Sequence, residues 1–177
     1  MQGKTGLIII DIQGNLARLV NDSDTLITNC VKLVKGAQIL SLPIISLEQN
    51  PDKLGSTVSE LSQLMQQITP LEKYTFNACG SPDFIKAVKS SGVDTWLIFG
   101  IETHICVYQT VIGLAELGYN VQVVSDCVAS RTSANQQLGL NRLQQRGIAI
   151  TGLEMCLYEL LKDCRAPEFK AILQLVK

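Results

Sequence analysis

The sequence predicts an α/β fold, a three-layer α/β/α sandwich with a mostly parallel sheet, and three observations lead to this prediction. Short apolar runs typical of strands alternate with longer segments whose apolar residues recur at helical spacing. The first run, GLIIID (6–11), is almost continuously apolar, as in a parallel strand buried on both faces. The chain has 177 residues, of which 46% are hydrophobic, so we expect a single domain over 1–177 with one core.

Each predicted strand is a short apolar or β-branched run bounded by turn residues. The strands are predicted over 6–11, 42–49, 70–76, 93–100, 119–126 and 148–152. Helices are predicted between them over 23–40, in the second part of 52–68, and over 82–91, 103–117 and 132–146, and two short helices are predicted after 152.

Capping residues set the bounds of several of these helices. Ser23 or Asp24 is a good N-cap for the first long helix. Ser81 precedes Pro82, which favours the first turn of a helix, and Gly92 follows its predicted end. The helix and strand bounds together predict that the carboxyl ends of the strands share one edge of the sheet, where ligands bind in folds of this class.

Composition and charge exclude several classes of function. The formal net charge of −1 gives no electrostatic reason to expect a nucleic acid partner, and no apolar run reaches the roughly 18 residues of a membrane span. The N-terminus lacks a small-residue cleavage site, so we expect a cytoplasmic protein whose six cysteines stay reduced. The sequence has no phosphate-binding G-x-x-x-x-G-K-[ST], no G-x-G-x-x-G after the first strand and no G-x-S-x-G.

Three titratable side chains are predicted to meet at the carboxyl edge of the sheet. Asp11 ends the first strand, Lys73 lies in the short segment before Tyr74, and Cys106 lies in the first turn after the strand TWLIFG. The free N–H groups of a helix start and a nearby ammonium both stabilise a thiolate, so we expect a lowered pKa for Cys106 and faster alkylation than at the other five cysteines. Asp11 is then the proton carrier. A core cysteine, a capping aspartate and a solvated lysine are the alternative interpretation.

His104 is the only histidine of the chain and lies two residues before Cys106. Residues two apart on a helix do not face each other. We therefore predict a structural or pocket-rim histidine that bonds near the start of the helix, and not the base for the thiol.

Four segments together resemble the isochorismatase-like, or cysteine hydrolase, superfamily, which includes nicotinamidases and N-carbamoylsarcosine amidases. They are LIIIDIQ (7–13), EKYTFNA (72–78), GIETHICVYQT (100–110) and LGYNVQVVSDCVASR (117–131). Within it, LEQNPDKLGSTVSEL (47–61) and PEFKAI are most similar to small isochorismatase domain-containing proteins. The resemblance implies a Rossmann-like six-stranded parallel sheet of order 3-2-1-4-5-6.

The resemblance also assigns the catalytic triad to Asp11, Lys73 and Cys106, the same residues that the pattern selects. It implies a cis peptide bond between Ile101 and Glu102, with the backbone N–H groups of Glu102 and Cys106 forming an oxyanion hole. Metal-binding nicotinamidases carry an Asp-x-His pair where this chain has LEQNPD, so no metal and no other cofactor is expected. Isochorismatases have glycine at the nucleophile position, so a cysteine here favours attack on a carbonyl.

These features predict a metal-independent cysteine hydrolase that cleaves a small amide-like C–N bond through a thioester. Two alternatives stay open: an isochorismatase-type vinyl-ether hydrolase that uses the aspartate without the thiol, and a non-catalytic binding or assembly protein that keeps the fold.

A homo-oligomer is also predicted, because TVIGLAELG and FKAILQLV are apolar for a chain of this size and relatives are commonly oligomeric. The residues expected to line the substrate pocket are Gln13, Gln49, Tyr74, Phe76 and Tyr108.

Overall fold

A computed structural model describes residues 4–177, and its centre is a sheet of six strands that are all parallel. The strands are β1 (Thr5–Ile10), β2 (Ile44–Gln49), β3 (Leu71–Lys73), β4 (Thr95–Ile101), β5 (Asn120–Ala129) and β6 (Ala149–Thr151). Their order across the sheet is β3-β2-β1-β4-β5-β6, which confirms the predicted order and the α/β class. The prediction of one domain over 1–177 includes residues 1–3, which lie outside the described residues, and stays a prediction.

The two central strands explain why their sequences are apolar throughout. Every residue of β1 and of β4 is buried, because helices cover both faces of the sheet. The two strands pair from Thr5 with Thr95 to Ile10 with Gly100. Gly100 has φ +128°, and a Cβ at this position would overlap the Ile10 carbonyl. Glycine is therefore required where the two strands approach each other.

The helices form groups that pack together around the sheet. They are α1 (Leu16–Leu19), α2 (Ser23–Ile39), α3 (Pro51–Leu54), α4 (Ser59–Ser62), α5 (Pro82–Ser90), α6 (Tyr108–Glu116), α7 (Ser133–Gln145), α8 (Leu153–Leu161) and α9 (Phe169–Val176). One group contains α2, α8 and α9, and another contains α6 and α7. Within residues 4–177, none of these helices has the length and the apolar character needed to cross a membrane.

The structure corrects several predicted bounds. The predicted N-cap of α2 is wrong, because the helix already starts at Ser23 and the left-handed Asp22 turns the chain into it. The Ser81 and Pro82 start of α5 is confirmed. The single helix predicted over 103–117 is instead a π-helical turn at Thr103–Val107 followed by α6. The chain leaves β1 towards β2 and later returns to β4 on the other side of β1, so the switch in strand order lies beside this turn.

Candidate active site

Asp11 lies directly after β1 and is almost completely buried. Its φ of +53° belongs to the left-handed region that aspartate tolerates better than most residues. Oδ2 accepts a hydrogen bond from Lys73, whereas the buried Oδ1 has no partner among residues 4–177. Burial raises the pKa of this carboxyl group, and the lysine only partly offsets that rise. Oδ1 of Asp11 can therefore accept a proton.

Lys73 is the last residue of β3 and is buried, which is rare for a lysine. Its Nζ donates to Oδ2 of Asp11 at 2.8 Å, to Oε1 of Gln49 at 2.7 Å and to the carbonyl of Thr75 at 3.3 Å. These three contacts use all three N–H groups of an ammonium. The lysine is thus fixed in position and acts on its surroundings through its charge.

Cys106 lies in the π-helical turn after β4, on the same edge of the sheet. The turn is held by the bond from the Val107 N–H to the Glu102 carbonyl at 3.3 Å, which spans five residues. Cys106 and Asp11 are close enough that each shifts the pKa of the other. The structure therefore brings together all three residues that the sequence predicted to meet.

The expected lowering of the Cys106 pKa is wrong. Burial, reinforced by the charge of Asp11, raises the pKa of the thiol to about 12, and the opposing effect of Lys73 is smaller. The sequence argument considered the helix start and the lysine but could not include desolvation, which disfavours the thiolate. The resting site therefore contains a neutral thiol, so faster alkylation of Cys106 is not expected either.

Glu102 connects the ends of β4 and β5. Its buried carboxylate accepts a bond from the backbone N–H of Arg131 at 2.9 Å and bonds from Nε of the same arginine at 3.2 Å. The peptide bond between Ile101 and Glu102 is cis. Through its bonds to Arg131, the Glu102 side chain joins the start of the turn that carries Cys106 to the segment that follows β5.

His104 points towards the end of β5. Its Nδ1 lies 2.9 Å from Oγ of Ser130, which is buried. His104 thus makes a hydrogen bond to the chain just after β5, and its role as a structural or pocket-rim residue stays a prediction.

Gln13 and Gln49, both predicted in the substrate pocket, bind the protein's own chain. Gln13 is fully buried; its Oε1 accepts from the Gln49 N–H at 2.7 Å and its Nε2 donates to the Gln49 and Gly55 carbonyls. Gln49 donates through Nε2 to the Tyr74 carbonyl at 2.8 Å while its Oε1 holds Lys73. The two glutamines thus fix the ends of β2 and β3.

The three aromatic residues predicted in the pocket differ in exposure. Tyr74 and Phe76, on the segment that follows Lys73, are 67% and 56% exposed. Tyr108 is half-buried at the start of α6. Contact of these rings with a substrate stays a prediction.

Sequence reasoning missed the buried carboxylate of Glu48. Its Oε1 accepts from the N–H of Thr57 at 2.6 Å and from the Thr57 hydroxyl at 2.7 Å. Glu48 also raises the pKa of Asp11 slightly through its charge. The strict alternation of side chains along β2 could have indicated it, since Ser46 and Glu48 lie on the same face of that strand.

Within residues 4–177, no three His, Cys, Asp or Glu side chains are arranged to hold a metal ion.

Comparison with known proteins gives the family. The model of the isochorismatase domain matches residues 5–155, which is most of the chain. The chain belongs to the isochorismatase family. Among relatives, the secreted isochorismatase effector Isc1 of Phytophthora sojae is 35% identical over 97% of this chain and 83% of its own length. Isochorismatase domain-containing protein 1 of Danio rerio is also 35% identical, over 82% of this chain and 51% of that protein.

Solved structures of this family superpose closely. The MAR1 ribonuclease of Caenorhabditis elegans has a TM-score of 0.92 at 31% identity and covers 98% of this chain and 90% of its own. YcaC from Pseudomonas aeruginosa, whose structure contains hexane-2,5-diol and covalent acrylamide, gives 0.91 at 28% identity, with 97% and 88% covered. YcaC from Escherichia coli, described as an octameric hydrolase of unknown specificity, gives 0.91 at 26% identity, with 97% and 86% covered.

Proposed function

We propose that this isochorismatase-family protein is a metal-independent cysteine hydrolase that cleaves a small amide-like C–N bond. The observation that carries the proposal is the buried Asp11–Lys73 ion pair, with a free carboxylate oxygen, next to the Cys106 thiol. A buried ion pair costs desolvation energy, and a purely structural role is served as well by apolar residues. Groups with strongly perturbed pKa values in one place are typical of active sites.

The raised pKa values determine how the nucleophile is formed. Because the thiol is neutral at rest, its proton passes to Asp11 as the sulfur attacks the carbonyl carbon. The negative charge then moves from the carboxylate, which contacts Lys73, to the carbonyl oxygen of the substrate. The number of buried charges does not change during this step, so no further desolvation is needed.

The second half of the reaction uses the same proton. Asp11 returns it to the leaving nitrogen as the C–N bond breaks, which releases ammonia or an amine and leaves a thioester on Cys106. Water then attacks the thioester carbonyl and gives a proton to Asp11, and the released thiolate takes that proton back. The backbone N–H groups of Glu102 and Cys106 are the proposed oxyanion hole, and each such donor is worth about 3 kcal/mol of barrier.

Two features of the relatives support parts of this proposal. Covalent acrylamide in Pseudomonas aeruginosa YcaC indicates a reactive group in that protein. The octameric Escherichia coli protein supports a homo-oligomer here, which sedimentation at micromolar concentration tests against the 19.3 kDa monomer. The cytoplasmic location stays a prediction, since one relative carries the name of a secreted effector.

RNA hydrolysis is the second candidate, because the Caenorhabditis elegans neighbour is described as a ribonuclease. The net charge of −1 does not favour a polyanionic substrate.

A substrate panel with three classes separates these possibilities. Small amides and N-carbamoyl amines are assayed by ammonia release, isochorismate by vinyl-ether cleavage, and a short single-stranded RNA by gel. We expect ammonia release from at least one amide, unchanged after treatment with a chelator. Cleavage of isochorismate or RNA alone contradicts the proposal, as does activity that disappears with the chelator and returns with a metal. No turnover in any class supports the non-catalytic alternative.

A further inference from the structure

A cavity with polar and apolar walls lies between β2 and the segment that follows it. Its volume is about 340 Å³, and none of its lining residues belongs to the Asp11, Lys73 and Cys106 group. The mouth is formed by exposed residues that include Ser56, Ser62 and Gln66. A small molecule can therefore enter this cavity from solvent without passing through the candidate active site.

The floor of the cavity contains two buried polar side chains with unused hydrogen-bonding capacity. Ser46 is 1% exposed, and its hydroxyl has no partner among residues 4–177. Glu48 is 8% exposed, and both hydrogen bonds that the described chain gives to its carboxylate, from Thr57, end on Oε1. Buried polar groups are normally satisfied, so an unpaired hydroxyl beside a half-used carboxylate indicates a missing partner.

The charge of the lining defines the chemistry of that partner. Glu48 is the only charged residue among the nine that line the cavity, so the lining has a net negative charge. The walls also include apolar surface from Met65, Ile68 and Pro70. A ligand that fits has a positive charge and N–H donors at one end and a short carbon chain at the other.

We propose that this cavity, here called the Glu48 cavity, binds a small primary ammonium ligand, with the N–H groups donating to Glu48 and Ser46. Two sources supply this chemistry: free ammonium, and an amine that carries a carbon chain.

Isothermal titration calorimetry at constant ionic strength tests the proposal with ethanolamine, ammonium chloride and tetramethylammonium chloride. We expect saturable binding of ethanolamine with a stoichiometry near one, and no binding of tetramethylammonium, which has the charge but no N–H group. Tighter binding of ammonium than of ethanolamine identifies free ammonium as the occupant, and the reverse order identifies a larger amine. Equal heats for ethanolamine and tetramethylammonium, or no saturable heat, overturn the proposal.

Variants locate the site. Glu48→Gln keeps an acceptor for Thr57 and is expected to weaken binding by about tenfold or more, because a charge-assisted hydrogen bond is lost. Ser46→Ala is expected to weaken binding by about threefold, because a neutral hydrogen bond is lost. Glu72→Gln is the matched control, because Glu72 is the exposed register partner of Glu48 on β3 and lies outside the cavity. If Glu72→Gln weakens binding as much as Glu48→Gln does, the effect comes from the overall charge of this region and the proposal is wrong. The Ser46 hydroxyl has no hydrogen-bond partner among residues 4–177, so the Ser46→Ala variant answers the question even if Glu48→Gln does not fold.

Discussion

Two strand-to-helix junctions of this protein each place a buried cysteine in the first turn, and only one has the surroundings of a nucleophile. Cys106 follows β4, and Cys156 lies in the first turn of α8 after β6. Burial raises the pKa of both thiols to about 12. The thiol of Cys156 donates to the carbonyl of Leu153 at 3.2 Å, and the charged groups that shift its pKa are both acidic.

Cys106, by contrast, is next to a buried cation and a carboxylate with a free oxygen, both supplied by other strands. The comparison shows that neither burial nor the start of a helix distinguishes the two cysteines. The distinguishing feature is the Asp11–Lys73 pair, which in the proposed mechanism accepts the thiol proton and leaves a positive charge near the sulfur.

The largest expected effect is the loss of the proposed nucleophile. Cys106→Ala should lower kcat/KM on the amide identified by the panel by at least about 10⁴-fold, because the thioester pathway is removed. Cys156→Ala is the matched control and should leave activity within about twofold while costing about 1 kcal/mol of unfolding free energy, measured by urea denaturation. Equal activity of the two variants would show that Cys106 is a core cysteine like Cys156.

The second prediction separates the two effects of Asp11. Asp11→Asn should lower kcat/KM by about 10²- to 10³-fold, because the proton carrier is lost. The same change should speed alkylation of Cys106 by iodoacetamide at pH 9, because the carboxylate that raises the thiol pKa is removed and the lysine remains. Lys73→Met should slow that alkylation. If Asp11→Asn slows both reactions in a protein with an unchanged melting temperature, the aspartate is not acting through charge.

The third prediction concerns pH. A thiol with a pKa of about 12 stays protonated through the neutral range, so alkylation of Cys106 should still rise about tenfold per pH unit between pH 8 and 10. At pH 7 the exposed Cys164 should be labelled at least about tenfold faster than Cys106, as measured by peptide mass spectrometry. A plateau for Cys106 below pH 8 would show a thiolate at rest and restore the expectation drawn from sequence.

The smallest expected effect is at His104, two residues before Cys106. His104→Gln removes the contact with Ser130 and should cost about 1 kcal/mol of stability, with activity within about threefold of the original. A loss of activity comparable with that of Asp11→Asn, without unfolding, would assign His104 a part in proton transfer.

The sequence predicted the larger features of the fold and the position of the site. Parallel strands end at one edge, so Asp11 and Cys106 could be brought together from strand ends alone, and the family resemblance supplied the strand order. The π-helical turn could not be predicted, because it depends on tertiary packing: Gly139 of α7 lets that helix lie against Thr103. The thiol pKa depends on desolvation, which is a property of the folded surroundings and not of local pattern. The Glu48–Thr57 contact likewise depends on how a loop folds back over β2.

The strand order also determines when this site can form during synthesis. β1 is made before its partner β4, which begins at Thr95, and the bond from Lys4 to Asp94 joins residues 90 positions apart. Until β4 leaves the ribosome, an apolar strand has one unpaired edge that is open to association with other chains. We therefore expect nascent chains of this protein to need chaperone protection until β4 has emerged, and truncated chains that end before residue 95 to aggregate.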